Sequence, residues 1–153
     1  MLKDHQELLS ALNAHNVKYL VVGGHAVGVH SEPRGTKDLD IFIKADPQNA
    51  AAVFEALLEF GAPLQDVSPA DFANDADTIY QIGQPPSRVD ILQSLPGITF
   101  DQAWQNRIPA SFGPDIPVNI ISQPDLIQNK TAVGRPQDLI DIEKMKAAKQ
   151  TRK

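Results

Sequence analysis

The sequence contains no cysteine, no excess of positive charge and no apolar run approaching the roughly 20 residues that span a membrane. The missing cysteines exclude disulfides, thiolate metal sites and cysteine nucleophiles, and they fit a reducing compartment. A net charge of −5 argues against a broad nucleic-acid-binding face, because such faces need dense lysine and arginine. Segment 1–15 is charged and amphipathic and lacks the apolar core of a signal peptide, so we expect a cytoplasmic protein.

The length predicts one domain over residues 1–153. A chain of 153 residues can bury one compact core but is too short for two ordinary domains. Its apolar content of 42% and charged content of 22% are typical of globular proteins. The basic residues that close the chain, 143–153, are predicted to form a frayed tail.

Alternating apolar segments and turn residues predict the element order α-β-α-β-α-β-β-α-β-α-α. The predicted strands are "VKYLVVG", "DLDIFIK", "TIYQIG", "RVDILQ" and "IPVNIIS". Proline at 47 and glycine at 61 mark the ends of one helix, and Gly134 separates the last two. This order predicts a mixed α/β (α+β) domain with a central sheet of about five strands, covered by helices on at least one face.

Two of the predicted strands carry acids on one face. In "DLDIFI", Asp38 and Asp40 point to one side and the alternate apolar residues to the other. The same pleat in "RVDILQ" puts Asp90 on the face of Arg88. If the strands are neighbours, three carboxylates converge and raise one another's pKa, a conflict that a divalent cation resolves. Mg²⁺ prefers oxygen ligands, and two such ions can hold the attacking and leaving oxygens of a displacement at phosphorus.

Neither the acids nor the nearby glycines specify a reaction alone. A bare Asp-x-Asp pair is usually solvated or paired with a cation such as Lys37 or Arg34, and phosphatases and sugar transferases also use it. Gly23 and Gly24 follow a strand and precede a helix, where backbone N–H groups can cradle a phosphate. A plain strand-to-helix turn would need small residues too. The glycines and acids together, in this order, favour a phosphate-transfer site.

The segment "GGHAVGVHSEPRGTKDLDIFI" resembles the signature of the nucleotidyltransferase superfamily, the DNA polymerase β-like fold. That signature is an apolar strand, Gly-Gly or Gly-Ser, a short helix, Asp-x-Asp opening the next strand, and a third acid on a later strand. Residues of this chain fill each place: Gly23 and Gly24, Asp38 and Asp40, and Asp90.

The C-terminal segment "DLIQNKTAVGRPQDLIDIEKM" is similar to small bacterial members, in which a lysine and an R-x-x-D sequence precede the last helix. Lys130, Arg135 and Asp138 fill those places. The nearest resemblance is to small proteins related to toxin–antitoxin and abortive-infection nucleotidyltransferases. Because no large helical domain follows the core, the acceptor would be held by loops, the C-terminal helices or a partner chain.

The resemblance implies Mg²⁺-dependent transfer of a nucleoside monophosphate from a triphosphate such as ATP to a hydroxyl of RNA, protein or a small molecule. Asp38 and Asp40 would bind Mg²⁺ ions bridging the phosphates, and Asp90 would complete a two-metal site. Gly23 and Gly24 would contact phosphate through the backbone.

Further nucleotide-binding candidates are Lys130, for the triphosphate charge, and Arg34 and Thr36 in the loop before the acids. Arg34 could equally pair with a nearby carboxylate. His25 and His30, five residues apart, do not share a helical face, so we expect no zinc pair.

A second hypothesis is a binding module of the same fold without turnover, such as an antitoxin or regulatory partner. It is motivated by the small size, the net acidity and the absence of an acceptor domain. Three converging carboxylates favour the enzyme, because a scaffold has no physical use for them.

Overall fold

The computed structural model describes residues 3–31, 38–74, 79–83 and 88–151. Within these ranges it contains six α-helices, a 3₁₀ turn at Pro69–Phe72 and one six-stranded sheet. The helices α1 to α6 span Lys3–Ala14, Gly23–His30, Pro47–Phe60, Phe100–Gln105, Gln123–Val133 and Pro136–Thr151. The strands β1 to β6 span Tyr19–Val22, Leu39–Ile43, Ile79–Ile82, Val89–Leu92, Ile108–Phe112 and Ile116–Ile120.

The sheet is mixed, with strand order β3-β4-β2-β1-β6-β5. β2 pairs in parallel with β4, and β1 in parallel with β6, while the remaining neighbours are antiparallel. This architecture confirms the predicted mixed α/β class. The sixth strand, β5, was not predicted. It lies at the sheet edge, contains Pro109 and is largely exposed, so it lacks the apolar run of a buried strand.

The two central strands, β1 and β2, are almost entirely buried. All four residues of β1 are buried, and so are four of the five in β2, Asp40 being the exception. Strands covered on both faces have continuous apolar runs, as β1 does, whereas Asp40 interrupts the run of β2. Phe42, on the same face as Asp40, packs edge-on against Phe100 of α4, with ring centroids 5.1 Å apart. The polar part of this face is therefore confined to the beginning of β2.

The helix ends follow from local side-chain chemistry. The Asp46 side chain caps α3 by accepting a hydrogen bond from the Asn49 amide at 2.7 Å, and Pro47 occupies the first turn. Gly61 ends α3 and Gly134 ends α5, both in the left-handed conformation that favours glycine. The predicted boundaries at these positions are confirmed.

The C-terminal helix, predicted from "PQDLIDIEKMKAAK" to cover residues 136–149, ends at Thr151. Residues 143–151, predicted as part of a frayed tail, continue α6 to Thr151. Met145, in this segment, is buried in the hydrophobic core, and Ile142 just before the segment is buried as well. In the part of the chain that the structure describes, no helix is long and apolar enough to cross a membrane.

Candidate active site

Strand register brings the two acidic strands together. The parallel pairing of β2 with β4 places Asp40 directly beside Asp90. The antiparallel pairing of β1 with β2 places Val22 opposite Asp40, so Gly23 follows immediately at the same edge of the sheet. Asp38 precedes β2 by one residue. The predicted glycine turn and the predicted acids therefore lie at one place.

The backbone at Gly23 lies against the carboxylate of Asp40. Gly23 has a φ of +69°, and a Cβ built there would lie 2.1 Å from Asp40 Oδ2. Only glycine satisfies both constraints, since other residues disfavour this φ and any Cβ would clash. Gly24 follows in the first turn of α2, whose N-cap residue, Val22, offers no side-chain hydrogen bond. The first amides of α2 thus lack a cap from that side chain.

The acids repel one another. The pKa of Asp40 is raised to about 6, first by burial, then by the charges of Asp90 and Asp38, with a hydrogen bond to Asp90 adding to the shift. Arg88 opposes the shift only in part. Near neutral pH this cluster therefore contains a carboxylate whose charge is poorly compensated.

Arg88 binds the third acid on both oxygens. Its Nε donates to Asp90 Oδ1 and its Nη2 to Asp90 Oδ2, each at 3.0 Å. This forked geometry is the strong form of an arginine–carboxylate pair. The pKa of Arg88 is raised, mainly by the hydrogen bond to Asp90 and also by the fields of Asp38 and Asp40. The pairing of Arg88 with Asp90 that the strand pattern suggested is present.

The donor atoms suit a divalent cation, but they are not arranged as ligands. Within the described ranges, no group of three or more His, Asp or Glu side chains is positioned to hold a metal ion. Oxygen donors and the raised pKa of Asp40 fit a hard cation such as Mg²⁺. Ligation by Asp90 would require Arg88 to share or release an oxygen. The metal-binding roles of Asp38, Asp40 and Asp90 stay predictions.

Lys130 lies in a buried ion-pair cluster. Its Nζ is 3.2 Å from Asp138 Oδ1 and 3.1 Å from Asp141 Oδ2. The lysine is 7% exposed and both aspartates are 1% exposed. Burial alone would raise the pKa of Asp138, but hydrogen bonds from Arg135 and Lys130 outweigh it and lower the pKa. The ammonium predicted to meet a triphosphate is thus held between α5 and α6.

Arg135 is the exposed cation of this region. Its Nε donates to Asp138 Oδ2 at 2.9 Å, while its side chain stays 71% exposed. The pKa of Arg135 is raised mainly by Asp138, with a smaller contribution from Asp40. The start of α6 is therefore within electrostatic reach of the acids. The other two predicted nucleotide contacts, Arg34 and Thr36, lie outside the described residues.

Near the glycine turn, the buried His5 and the partly buried His25 lie in contact, which no local sequence pattern indicates. His25 makes an edge contact with His5 of α1, at 6.1 Å between ring centroids. Its Nε2 is buried with no hydrogen-bond partner in the described part of the chain. Burial, and next the charge of His5, lower the pKa of His25 to about 4, so the ring is neutral at pH 7. His30 instead donates from Nε2 to the Ile121 carbonyl at 2.7 Å.

Replacing Gly23 with alanine is expected to destabilise the fold by more than the same replacement at a glycine whose only constraint is a positive φ. Gly134→Ala is the matched control, since Gly134 has a φ of +71° and its added Cβ would meet nothing closer than 3.6 Å. We expect about 1–2 kcal/mol of destabilisation for Gly134→Ala, and about 1–3 kcal/mol more for Gly23→Ala, from the clash with Asp40. Urea unfolding measures both. Equal losses would show that Asp40 does not lie against Gly23, and Asp40→Ala in the Gly23→Ala background should relieve the excess.

Both the sequence and the fold resemble those of known proteins. Residues 1–152 match the model of a family described as a nucleotidyltransferase of unknown function, DUF6036. No curated protein matches the chain. The fold is similar to the lincosamide antibiotic adenylyltransferase LnuA, solved with lincomycin bound, with a TM-score of 0.59, 16% identity, and coverage of 97% of this chain and 98% of that one. It is also similar to the antibiotic-resistance factor ANT(2'')-Ia, with a TM-score of 0.60, 14% identity, and coverage of 98% and 83%.

Proposed function

Since this chain belongs to the DUF6036 family of nucleotidyltransferases, we propose that it moves a nucleoside monophosphate from a triphosphate to an acceptor hydroxyl, releasing pyrophosphate. The observation that carries the proposal is the register of β2 and β4, which places Asp40 beside Asp90 next to the Gly23 turn. A glycine turn against paired acids suits a phosphate chain and its counter-ions.

The acids and the glycine turn have separate roles in the proposed reaction. Asp38, Asp40 and Asp90 hold Mg²⁺, which when bound neutralises phosphate charge and polarises the reacting phosphoryl group. The N–H groups at Gly23 and Gly24 bind phosphate oxygens at the positive end of α2. Asp90 also accepts the proton of the acceptor hydroxyl. Positioning and charge neutralisation therefore supply most of the rate enhancement.

The remaining candidate residues divide into direct and indirect contributors to nucleotide binding. Arg34 and Thr36 are proposed as nucleotide contacts because they lie four and two residues before Asp38 in the chain. Lys130 is proposed to act indirectly, because its ammonium is already bound by two buried aspartates. It fixes the α5–α6 junction and so the position of Arg135, the exposed cation nearest that junction.

A small hydroxylated molecule is the acceptor class that we propose to test first, with ATP as the nucleotide. The fold is similar over nearly its whole length to that of a lincosamide adenylyltransferase solved with lincomycin, a small molecule, bound, and this likeness supports a small acceptor. The net charge of −5 gives little attraction for the phosphates of RNA. RNA and protein acceptors remain as the second arm of the assay.

One observation favours the alternative of a binding module without turnover, such as an antitoxin or regulatory partner. Both oxygens of Asp90 accept hydrogen bonds from Arg88, an arrangement that also serves a purely structural pair. The alternative predicts that the chain binds no nucleotide in a metal-dependent way and co-purifies with a partner chain.

Incubation with α-³²P-labelled triphosphates and Mg²⁺ tests the proposal. The acceptor arms are a panel of hydroxylated small molecules, total RNA and a protein extract. We expect label on one acceptor class and a drop of at least about 1,000-fold with Asp38→Asn, since metal ligation supplies several kcal/mol. Asp115→Asn, an exposed acid in the β5–β6 turn, should keep full activity. No transfer to any acceptor, with equal nucleotide affinity in the wild type and Asp38→Asn, would reject the enzyme.

A further inference from the structure

Four charged side chains face one another across β2 and β4. Leu39 pairs with Val89 in the parallel register, and the Leu39 amide donates to the Arg88 carbonyl at 3.0 Å. Arg88 and Asp38 therefore occupy facing positions one residue before that pair. Asp40 and Asp90 face each other one residue after it. Because side chains alternate along a strand, all four belong to one face of the sheet.

Arg88 is the cation of this group. Its guanidinium forms the two 3.0 Å bonds to Asp90 described above, and Asp90 is nearly buried, with 12% of its side chain exposed. Arg88 itself keeps 35% of its side chain exposed. An arginine cannot lose its proton in a protein, so its charge leaves the acids only if the side chain moves. Its exposure gives it room to do so.

We propose that Arg88 is an internal counter-ion that holds Asp90 in the metal-free protein and competes with the divalent cation for that carboxylate. This inference rests on the proposed function. A cation on Asp90 would lie a few ångströms from the guanidinium, where like charges repel strongly. Cation binding therefore releases Arg88 from at least one oxygen. The freed guanidinium points to solvent or to a phosphate oxygen, which it binds in the same forked geometry.

Because Arg88 competes with the cation, its removal should change cation affinity in the opposite direction from the removal of an ordinary structural residue. An ordinary structural residue, when removed, leaves cation affinity unchanged or lowers it, because the ligands lose their support. Removal of a competitor raises cation affinity, since three carboxylates then face the ion without an internal cation. In the same variant, the cation should stabilise the fold more than it stabilises the wild type.

Electron paramagnetic resonance of free Mn²⁺ measures this affinity without turnover. We expect Arg88→Gln to bind Mn²⁺ about tenfold more tightly than wild type or better, from the loss of one nearby screened charge. Arg88→Lys should fall between them, because it keeps the charge but loses the fork. Arg107→Gln is the matched control: it removes the same charge from a guanidinium stacked 4.1 Å from the Trp104 ring, and it should change affinity by less than about twofold.

Thermal unfolding with and without Mn²⁺ gives the second measurement, and it should show a larger Mn²⁺-induced rise in Tm for Arg88→Gln. Equal or weaker Mn²⁺ binding by Arg88→Gln would overturn the inference. A second outcome would reject only the inference: the wild type binds Mn²⁺, Asp40→Asn does not bind it, and Arg88→Gln binds it with the affinity of the wild type. If no form binds Mn²⁺, with or without triphosphate, the metal-dependent function fails as well. If Arg88→Gln does not fold, the Mn²⁺ affinity of Arg88→Lys is compared with that of the wild type instead. Tighter binding would support the inference, and equal or weaker binding would overturn it.

Discussion

Replacing Lys130 with methionine is expected to lower the free energy of unfolding by about 3–5 kcal/mol. The substitution keeps a long, helix-compatible side chain but removes the charge that Asp138 and Asp141 share. Both aspartates are buried, so each would lose an ion-pair partner at a place where water cannot replace it. Arg135 and Gln137 would still donate to them, which sets an upper limit to the loss. Urea unfolding at pH 7 measures the change.

Lys3→Met is the matched control for this experiment. Lys3 is also a helical lysine paired with an acid, but its side chain is 86% exposed and lies 3.9 Å from Glu7. Its replacement should cost less than about 0.5 kcal/mol. A loss below about 1 kcal/mol for Lys130→Met would contradict the structural role. Normal stability combined with weak triphosphate binding would instead support the phosphate contact predicted from the sequence.

Replacing Asp40 with asparagine is expected to abolish nucleotide transfer and yet stabilise the metal-free protein above pH 6, by up to about 3 kcal/mol. Asparagine has the shape of aspartate without its charge. The folded protein holds the pKa of Asp40 at about 6, against an ordinary 3.8, so ionising this group opposes folding. Functional sites commonly sacrifice stability in this way.

The pH dependence has a definite sign. The folded-state pKa lies above the unfolded value, so the folded state binds the Asp40 proton more tightly. Below about pH 4 the group is protonated in both states, and wild type and Asp40→Asn should differ little. The advantage of the variant should grow between about pH 4 and 6 and then stay constant. Urea unfolding in EDTA across this range measures the difference.

Two comparisons make the Asp40 result interpretable. Asp115→Asn, in an exposed turn, should stay within about 0.5 kcal/mol of wild type at every pH. Added Mg²⁺ should narrow the gap between wild type and Asp40→Asn, because a cation stabilises only the form that binds it. If the difference in unfolding free energy between Asp40→Asn and wild type were no larger at pH 7.5 than at pH 4, the raised pKa of Asp40 would be contradicted.

Much of the fold and the place of the site could be predicted from local sequence patterns. The apolar runs of β1 and β2 identify buried strands, and the alternation in β2 and β4 puts Asp40 and Asp90 on a polar face. Gly23 marks the turn because few residues other than glycine adopt its conformation. These features depend on neighbours in the chain, which is why the sequence reveals them.

Features that depend on distant contacts could not be predicted. Lys130 in a helix looks like a solvated cation, and only the packing of α5 on α6 encloses it between two aspartates. His5 falls on the apolar stripe of α1, and no local pattern places it against His25. The edge strand β5 lacks a buried apolar run, so only its pairing with β6 defines it.

The parallel register of β2 and β4 also constrains the order of events during folding. Asp40 and Asp90 come from distant parts of the chain and meet only when these strands pair. A slip of one residue would turn Asp90 to the opposite side of the sheet. Long-range parallel pairing is slow to form, because a large loop must close first. The carboxylate cluster therefore cannot serve as a nucleus for folding. A cation that binds to it can stabilise the sheet only after β2 and β4 have paired.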